Sequence, residues 1–134
     1  MGEDQLVSDR LLLDTNILID FLRRHSHAMA FVDNLAARPA LSVITVSEPF
    51  AGVREGRERS EMERFFARSI LLDVDQQIAA RAGLLLRTYR KSHGVGLADA
   101  LIAAMAEADG ARLATLNIKH FPMLPDVLVP HTKA

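Results

Sequence analysis

Hydrophobic and polar positions along this chain switch repeatedly between two rhythms. Leu11–Leu13 is a short, continuously apolar run that stops at Asp14-Thr15-Asn16, after which Ile17, Leu18, Phe21 and Leu22 recur at helical spacing. The pattern predicts strand, turn and helix. A second helix is predicted over 27–37, where Met29, Phe31, Val32 and Leu35 are apolar and Arg38-Pro39 ends the run. Residues 40–44 read as a buried strand. The spacing of Thr45 and Glu48 fits a capping box, so a helix is predicted to start there and run to Gly52 and Gly56, with Pro49 tolerated in its first turn.

Residues 60–69 read as a further helix, and Ile70–Leu72 as a third strand. Asp75 is placed to cap a long helix with Ile78, Ala82, Leu85, Leu86 and Tyr89 on one face, ending in a loop at 92–96. Residues 97–108 are almost all small or apolar and predict an enclosed helix, in which Asp99 is the exception. A fourth strand is predicted at 113–115 and a fifth at 127–129, after the turn between Pro122 and Pro125. Short apolar strands alternating with helices predict an α/β three-layer sandwich: a parallel sheet of four to five strands with helices on both faces.

Composition narrows the picture. With 134 residues, 49% of them hydrophobic and 25% charged, the chain is expected to form one domain over 1–134, of which 1–9 are an N-terminal extension. There is no cysteine, so disulfides, zinc thiolates and thiol catalysis are excluded. No apolar run approaches the roughly 18 residues of a membrane span, and the acidic N-terminus does not read as a secretory signal. A cytoplasmic protein is expected. The net charge of −1 argues against a broad basic nucleic-acid surface, but not against a transient polynucleotide substrate if clustered acids are neutralised by a cation.

In a doubly wound sheet, ligands bind beyond the carboxyl ends of the strands. Asp14, Glu48, Asp99 and Asn117 all fall just past a strand or at the start of the following helix. Each acid has a second reading: Asp14 as an N-cap, Glu48 as the capping-box residue, Asp99 as a carboxylate steadied by its helix N-terminus. Together, three carboxylates at one sheet edge repel one another. A hard divalent cation such as Mg²⁺ or Mn²⁺ relieves that repulsion and suits phosphodiester hydrolysis.

Four segments, LLLDTNILIDFL (11–22), SVITVSEPFAG (42–52), LADALIAA (97–104) and LATLNIKHF (113–121), resemble in order the motifs of PIN-domain proteins, and more narrowly the VapC-type toxin ribonucleases of bacterial toxin-antitoxin operons. The resemblance spans residues 11 to about 129. It implies a metal-dependent endoribonuclease with Asp14, Glu48 and Asp99 as metal ligands. Asn117 completes the catalytic set where many relatives carry a fourth acid, and Thr15, Asn16 and Thr115 surround the site. Pro49 is a departure, since an aliphatic residue is more usual after that glutamate. The family also implies a homodimer and a co-encoded antitoxin whose tail covers the active site.

Arg87, Arg90 and Lys91, with no interleaved acids, are candidate RNA contacts, whereas the arginines over 54–68 alternate with glutamates and read as a solvated face. His25, His27, His93, His120 and His131 show no metal-ligand spacing; His120 alone falls near the expected site, where it could assist proton transfer, but packing beside Phe121 is the expectation. Two other functions fit parts of the pattern. One is a phosphoacceptor receiver domain built on Asp73, with Lys119 closing the site. The other is a non-catalytic PIN-like module that binds RNA or protein without cutting.

Overall fold

The computed structural model describes residues 10–130, so the expected extension over 1–9 and His131 lie outside the described residues. Strands β1 (Leu11–Leu13), β2 (Ala40–Ser42), β3 (Ile70–Leu72) and β4 (Arg112–Ala114) pair in parallel in the order β3-β2-β1-β4. Parallel neighbours cannot be joined by hairpins, so each connection is helical. Helices α1 (Thr15–Leu22) and α2 (Ser26–Asp33) link β1 to β2, and α3 (Val43–Gly52) and α4 (Arg57–Arg68) link β2 to β3. Helices α5 (Gln76–His93) and α6 (Leu97–Asp109) then carry the chain back to β4, beside β1.

Register divides the core into two layers. Leu12 pairs with Ala40 on one side and Leu113 on the other, and all three face a cluster built with Ala82 and Leu85 of α5 and Ala100, Ile102, Ala103 and Met105 of α6. One residue further on, Leu13 pairs with Leu41 and Ala114, and this row faces Ile17 and Leu18 of α1 and Met62, Phe65 and Phe66 of α4. The period of two along each strand thus sends alternate leucines into opposite helical layers. The result is the three-layer α/β sandwich expected from the alternation of apolar runs.

The fifth strand is reduced to a single bridge. Leu128 pairs with Ala114, donating its N–H to the Leu113 carbonyl at 2.9 Å and accepting from Thr115 N at 3.0 Å. Pro125 and Pro130 bracket this stretch and each removes a ladder donor, which keeps the pairing from extending.

Helix boundaries differ most at α3. The helix starts at Val43 rather than at the Thr45 capping box, because Ser42 acts as its N-cap: Ser42 Oγ accepts from Ile44 N at 2.9 Å while Thr45 Oγ1 turns back to donate to the Ser42 carbonyl at 2.8 Å. Strand β2 therefore ends at Ser42. Pro49 falls inside the helix, not in its first turn, and leaves the Thr45 carbonyl without its usual i+4 donor. Replacing Ser42 by Ala is expected to cost about 1 kcal/mol of stability, read as a lower urea midpoint with an unchanged slope.

Helix α2 is shorter than predicted, since Asn34 turns its Nδ2 onto the Ala30 carbonyl at 2.8 Å and ends it. Helix α4 starts earlier, at Arg57 after Gly56, whose φ of +95° suits glycine. Its arginines pair with glutamates four residues away, Arg57 with Glu61 and Arg59 with Glu55 and Glu63, as a solvated face should.

Candidate active site

Because β1 and β4 are parallel neighbours, the segments that leave them emerge side by side at one edge of the sheet, the place where a ligand crevice forms in doubly wound folds. Asp14 follows β1 into this crevice, and its N–H donates to the Ala114 carbonyl at 2.9 Å, so the adjoining strand ends hold its backbone. The side chain is buried and both of its oxygens are engaged. Oδ1 accepts from Thr15 N at 2.8 Å, which caps α1, and Oδ2 accepts from the fully buried Thr115 hydroxyl at 2.7 Å. The capping reading and the site reading of Asp14 thus describe two oxygens of one carboxylate.

Thr115 is a junction. Besides donating to Asp14, its Oγ1 accepts from Asn117 N at 3.0 Å and from Asn16 Nδ2 at 3.4 Å, while Asn16 Oδ1 accepts from Leu116 N at 3.3 Å. Asn16 therefore ties the loop after β1 to the loop after β4. Past Asn117 the chain makes a short 3-10 turn, Ile118–His120, that brings the imidazole back: His120 Nδ1 lies 2.9 Å from the Asn117 carboxamide nitrogen and 3.1 Å from Asp99 Oδ2.

Asp99 lies in the first turn of α6, where the exposed N–H groups of the helix end favour negative charge. It is less enclosed than its apolar neighbours suggested: a quarter of its side chain is exposed, and its Oδ2 meets the imidazole of His120. The other correction concerns His120. Phe121 is buried in the core beside α6, but His120 turns the opposite way and joins the acids instead of packing.

Electrostatics single out Asp14. Burial pushes its carboxyl above the ordinary range, and the nearby negative charge of Asp99 adds to that rise; the hydrogen bonds from Thr115 and Thr15 and the proximity of His120 oppose it. A desolvated carboxylate repelled by a second one is the arrangement that a cation relieves. Among the described residues, no three acidic or imidazole side chains converge tightly enough to hold a metal without help. A magnesium-like ion asks for less, since it keeps several waters and takes one or two carboxylates. Asp14 and Asp99 fit that requirement.

Glu48 is placed differently. It is exposed on α3, where it lines a wide groove of about 1530 Å³ together with Phe21, Arg23, Val53, Arg54 and Phe65. The hydrogen-bonded cluster described above is made by Asp14, Asn16, Thr115, Asn117, His120 and Asp99. Arg87, Arg90 and Lys91 are exposed on the last turns of α5, before the loop that leads to Asp99. Asp73 follows the edge strand β3, two strands away from β1, which removes the geometric basis for a receiver-type site.

The cluster gathers residues about a hundred positions apart in sequence. A PIN domain family model matches residues 11–122, which includes every residue of the cluster. Ribonuclease VapC19 of Mycobacterium tuberculosis is 40% identical over 124 residues, covering 90% of this chain and 98% of the relative. Among solved structures, a toxin-antitoxin complex from Klebsiella pneumoniae superposes with a TM-score of 0.78 at 28% identity, covering 92% of this chain and 99% of that one. A DNA-bound VapBC from Salmonella typhimurium superposes with a TM-score of 0.73 at 28% identity, covering 89% and 95%.

Proposed function

The chain belongs to the PIN domain family, and from that premise we propose that it is a metal-dependent endoribonuclease, the toxin of a toxin-antitoxin pair. The observation that carries this reading is the hydrogen-bonded cluster in which the strand end after β4 links buried Asp14 to Asp99 of α6, close enough for the charge of one to be felt by the other. Similarity to a ribonuclease over nearly the whole chain and to toxin-antitoxin complexes at matching coverage supports the substrate class and the partner.

In this reading Asp14 and Asp99 hold Mg²⁺ or Mn²⁺. When bound, such an ion stabilises the charge that builds on the phosphodiester during hydrolysis and makes water a better nucleophile. The chain's own side chains do the rest. Thr115 keeps the Asp14 carboxylate in one orientation, with a lone pair of Oδ2 already committed to its hydroxyl. Asn16 and Asn117 fix Thr115 in turn. Arg87, Arg90 and Lys91 offer phosphate contacts along α5, and Glu48 serves as an outer acid reached from the groove side. That groove combines apolar walls with arginines and glutamates, some of them already paired as Arg24 and Arg57 are with Glu61, and its apolar part suits an apolar antitoxin segment.

The test is cleavage of a pool of structured RNAs by the purified, partner-free protein with Mg²⁺ or Mn²⁺, beside chelator. Defined fragments that vanish with chelator support the nuclease. Intact RNA in every lane, with metal still bound, favours a PIN-like binding module instead. A smaller effect should follow from Thr115→Val, which keeps the shape but removes the donor to Asp14: metal affinity and cleavage are expected to fall roughly 10- to 100-fold, as measured by titration with Mn²⁺ and by initial rates.

A further inference from the structure

The strand end after β4 does more than approach the acids; it links them. Starting at Asp14, the Thr115 hydroxyl donates to Oδ2, Asn117 N–H donates to that hydroxyl oxygen, the Asn117 carboxamide touches His120 Nδ1, and His120 Nδ1 reaches Asp99 Oδ2, at 2.7, 3.0, 2.9 and 3.1 Å. Two carboxylates from different places in the fold, the end of β1 and the first turn of α6, are thus bracketed by one short turn. From this geometry we infer that His120 is a positioning residue for Asp99: its Nδ1–H donates to Asp99 Oδ2, and Asn117 aligns the ring.

The chemistry at Nδ1 argues for this assignment. A ring nitrogen has either one proton or one lone pair to offer, and here it faces a carboxylate oxygen and a carboxamide. With a lone pair on Nδ1, the contact with Asp99 would set two lone pairs against each other. With a proton on Nδ1, Asp99 accepts it, and the carboxamide of Asn117 presents its oxygen to the same N–H after a half-turn, a choice of ends that hydrogen bonding decides. Such a donor fixes one rotamer of Asp99. Without it, a carboxylate that is a quarter exposed in a first helical turn can swing toward water.

The bracket also sets the spacing of the two acids. Both ends of the turn are anchored, Asn117 to Thr115 and Phe121 in the core, so His120 has little freedom to follow a wandering Asp99. This inference rests on the proposed metal site for its catalytic meaning, but the contact itself is independent of metal.

The experiment compares His120→Ala, His120→Asn and His120→Gln in the full chain. An asparagine amide nitrogen can stand in for Nδ1, whereas a glutamine amide nitrogen stands in for Nε2. Titration with Mn²⁺, followed by the loss of its free-ion resonance, is expected to show affinity weakened about 10- to 100-fold in His120→Ala and His120→Gln and largely restored in His120→Asn. Rescue by Gln and not by Asn would assign the function to Nε2 and overturn the inference, as would an unchanged His120→Ala.

Nitrogen-15 spectra of the metal-free protein supply a second reading that does not depend on the variants folding. They should show a proton on Nδ1 of His120, with a resonance that moves when Asp99 is replaced by Ala. A bare Nδ1 would overturn the assignment. If the wild-type chain takes up no Mn²⁺ while the Nδ1 proton is present and senses Asp99, the metal-dependent nuclease fails and the positioning contact stands.

Discussion

Asp99→Asn is expected to lower metal-dependent RNA cleavage by about three orders of magnitude, corresponding to roughly 4 kcal/mol of lost transition-state stabilisation. The substitution is nearly isosteric, so the first turn of α6 should survive it and the melting temperature should change little. What disappears is one of the two negative charges facing the crevice and the full acceptor strength at Oδ2, where His120 now meets an amide. Initial rates on a cleavable RNA, beside a Mn²⁺ titration, separate the alternatives. Lost cleavage with weakened metal uptake fits the ligand role, whereas wild-type rates would remove Asp99 from the chemistry.

Asp14→Asn should be equally damaging to cleavage but should change stability in a way that Asp99→Asn does not. The Asp14 carboxyl is raised above its ordinary value of 3.8, mainly by burial. At pH values below the ordinary one it is protonated in both folded and unfolded chains. As pH rises from there through the raised folded value, the unfolded chain releases its proton before the folded one does, so stability falls and stays lower at neutral pH. Asn removes that dependence. The metal-free variant is therefore expected to lose less stability than wild type between pH 3.8 and neutrality, as read from melting temperatures across the range. Because Asn keeps an oxygen for Thr15 N but sets an NH2 against the Thr115 hydroxyl, the slope with pH is the informative quantity rather than the melting temperature at any one pH. Adding Mn²⁺ should raise the melting temperature of wild type and leave this variant nearly unmoved.

The layered architecture was legible because its signal is repeated: each short apolar run and each amphipathic helix points to the same buried sheet. Asp14 was legible for a similar reason, since the leucine strand before it fixes where it emerges. Boundaries were harder. Ser42 and Thr45 both have capping side chains, and only the end of the β2 pairing decides which of them starts α3. The fifth strand depended on what flanks it, and the prolines at 125 and 130 outweighed three apolar residues. His120 was misjudged because a histidine before a phenylalanine carries no periodicity of its own. Its direction comes from a tight 3-10 turn and from a carboxylate on another helix, neither of which local spacing reveals. For Glu48 the helix was legible but not its extent: with the start at Val43 the residue lies past the first turn, exposed beside the groove.

Strand β1 is near the start of the described chain and β4 near its end, yet they are neighbours, and the crevice exists only between them. A nascent chain that has emerged through α6 already carries Asp14 and Asp99 but lacks Thr115, Asn117 and His120, so its two acids have nothing to bracket them. Competence to cut is therefore expected to arrive late in synthesis, in one step, when β4 inserts beside β1. Contacts across such a span are costly to close and form slowly. For a nuclease that would endanger the cell producing it, that delay separates the moment of translation from the moment of danger.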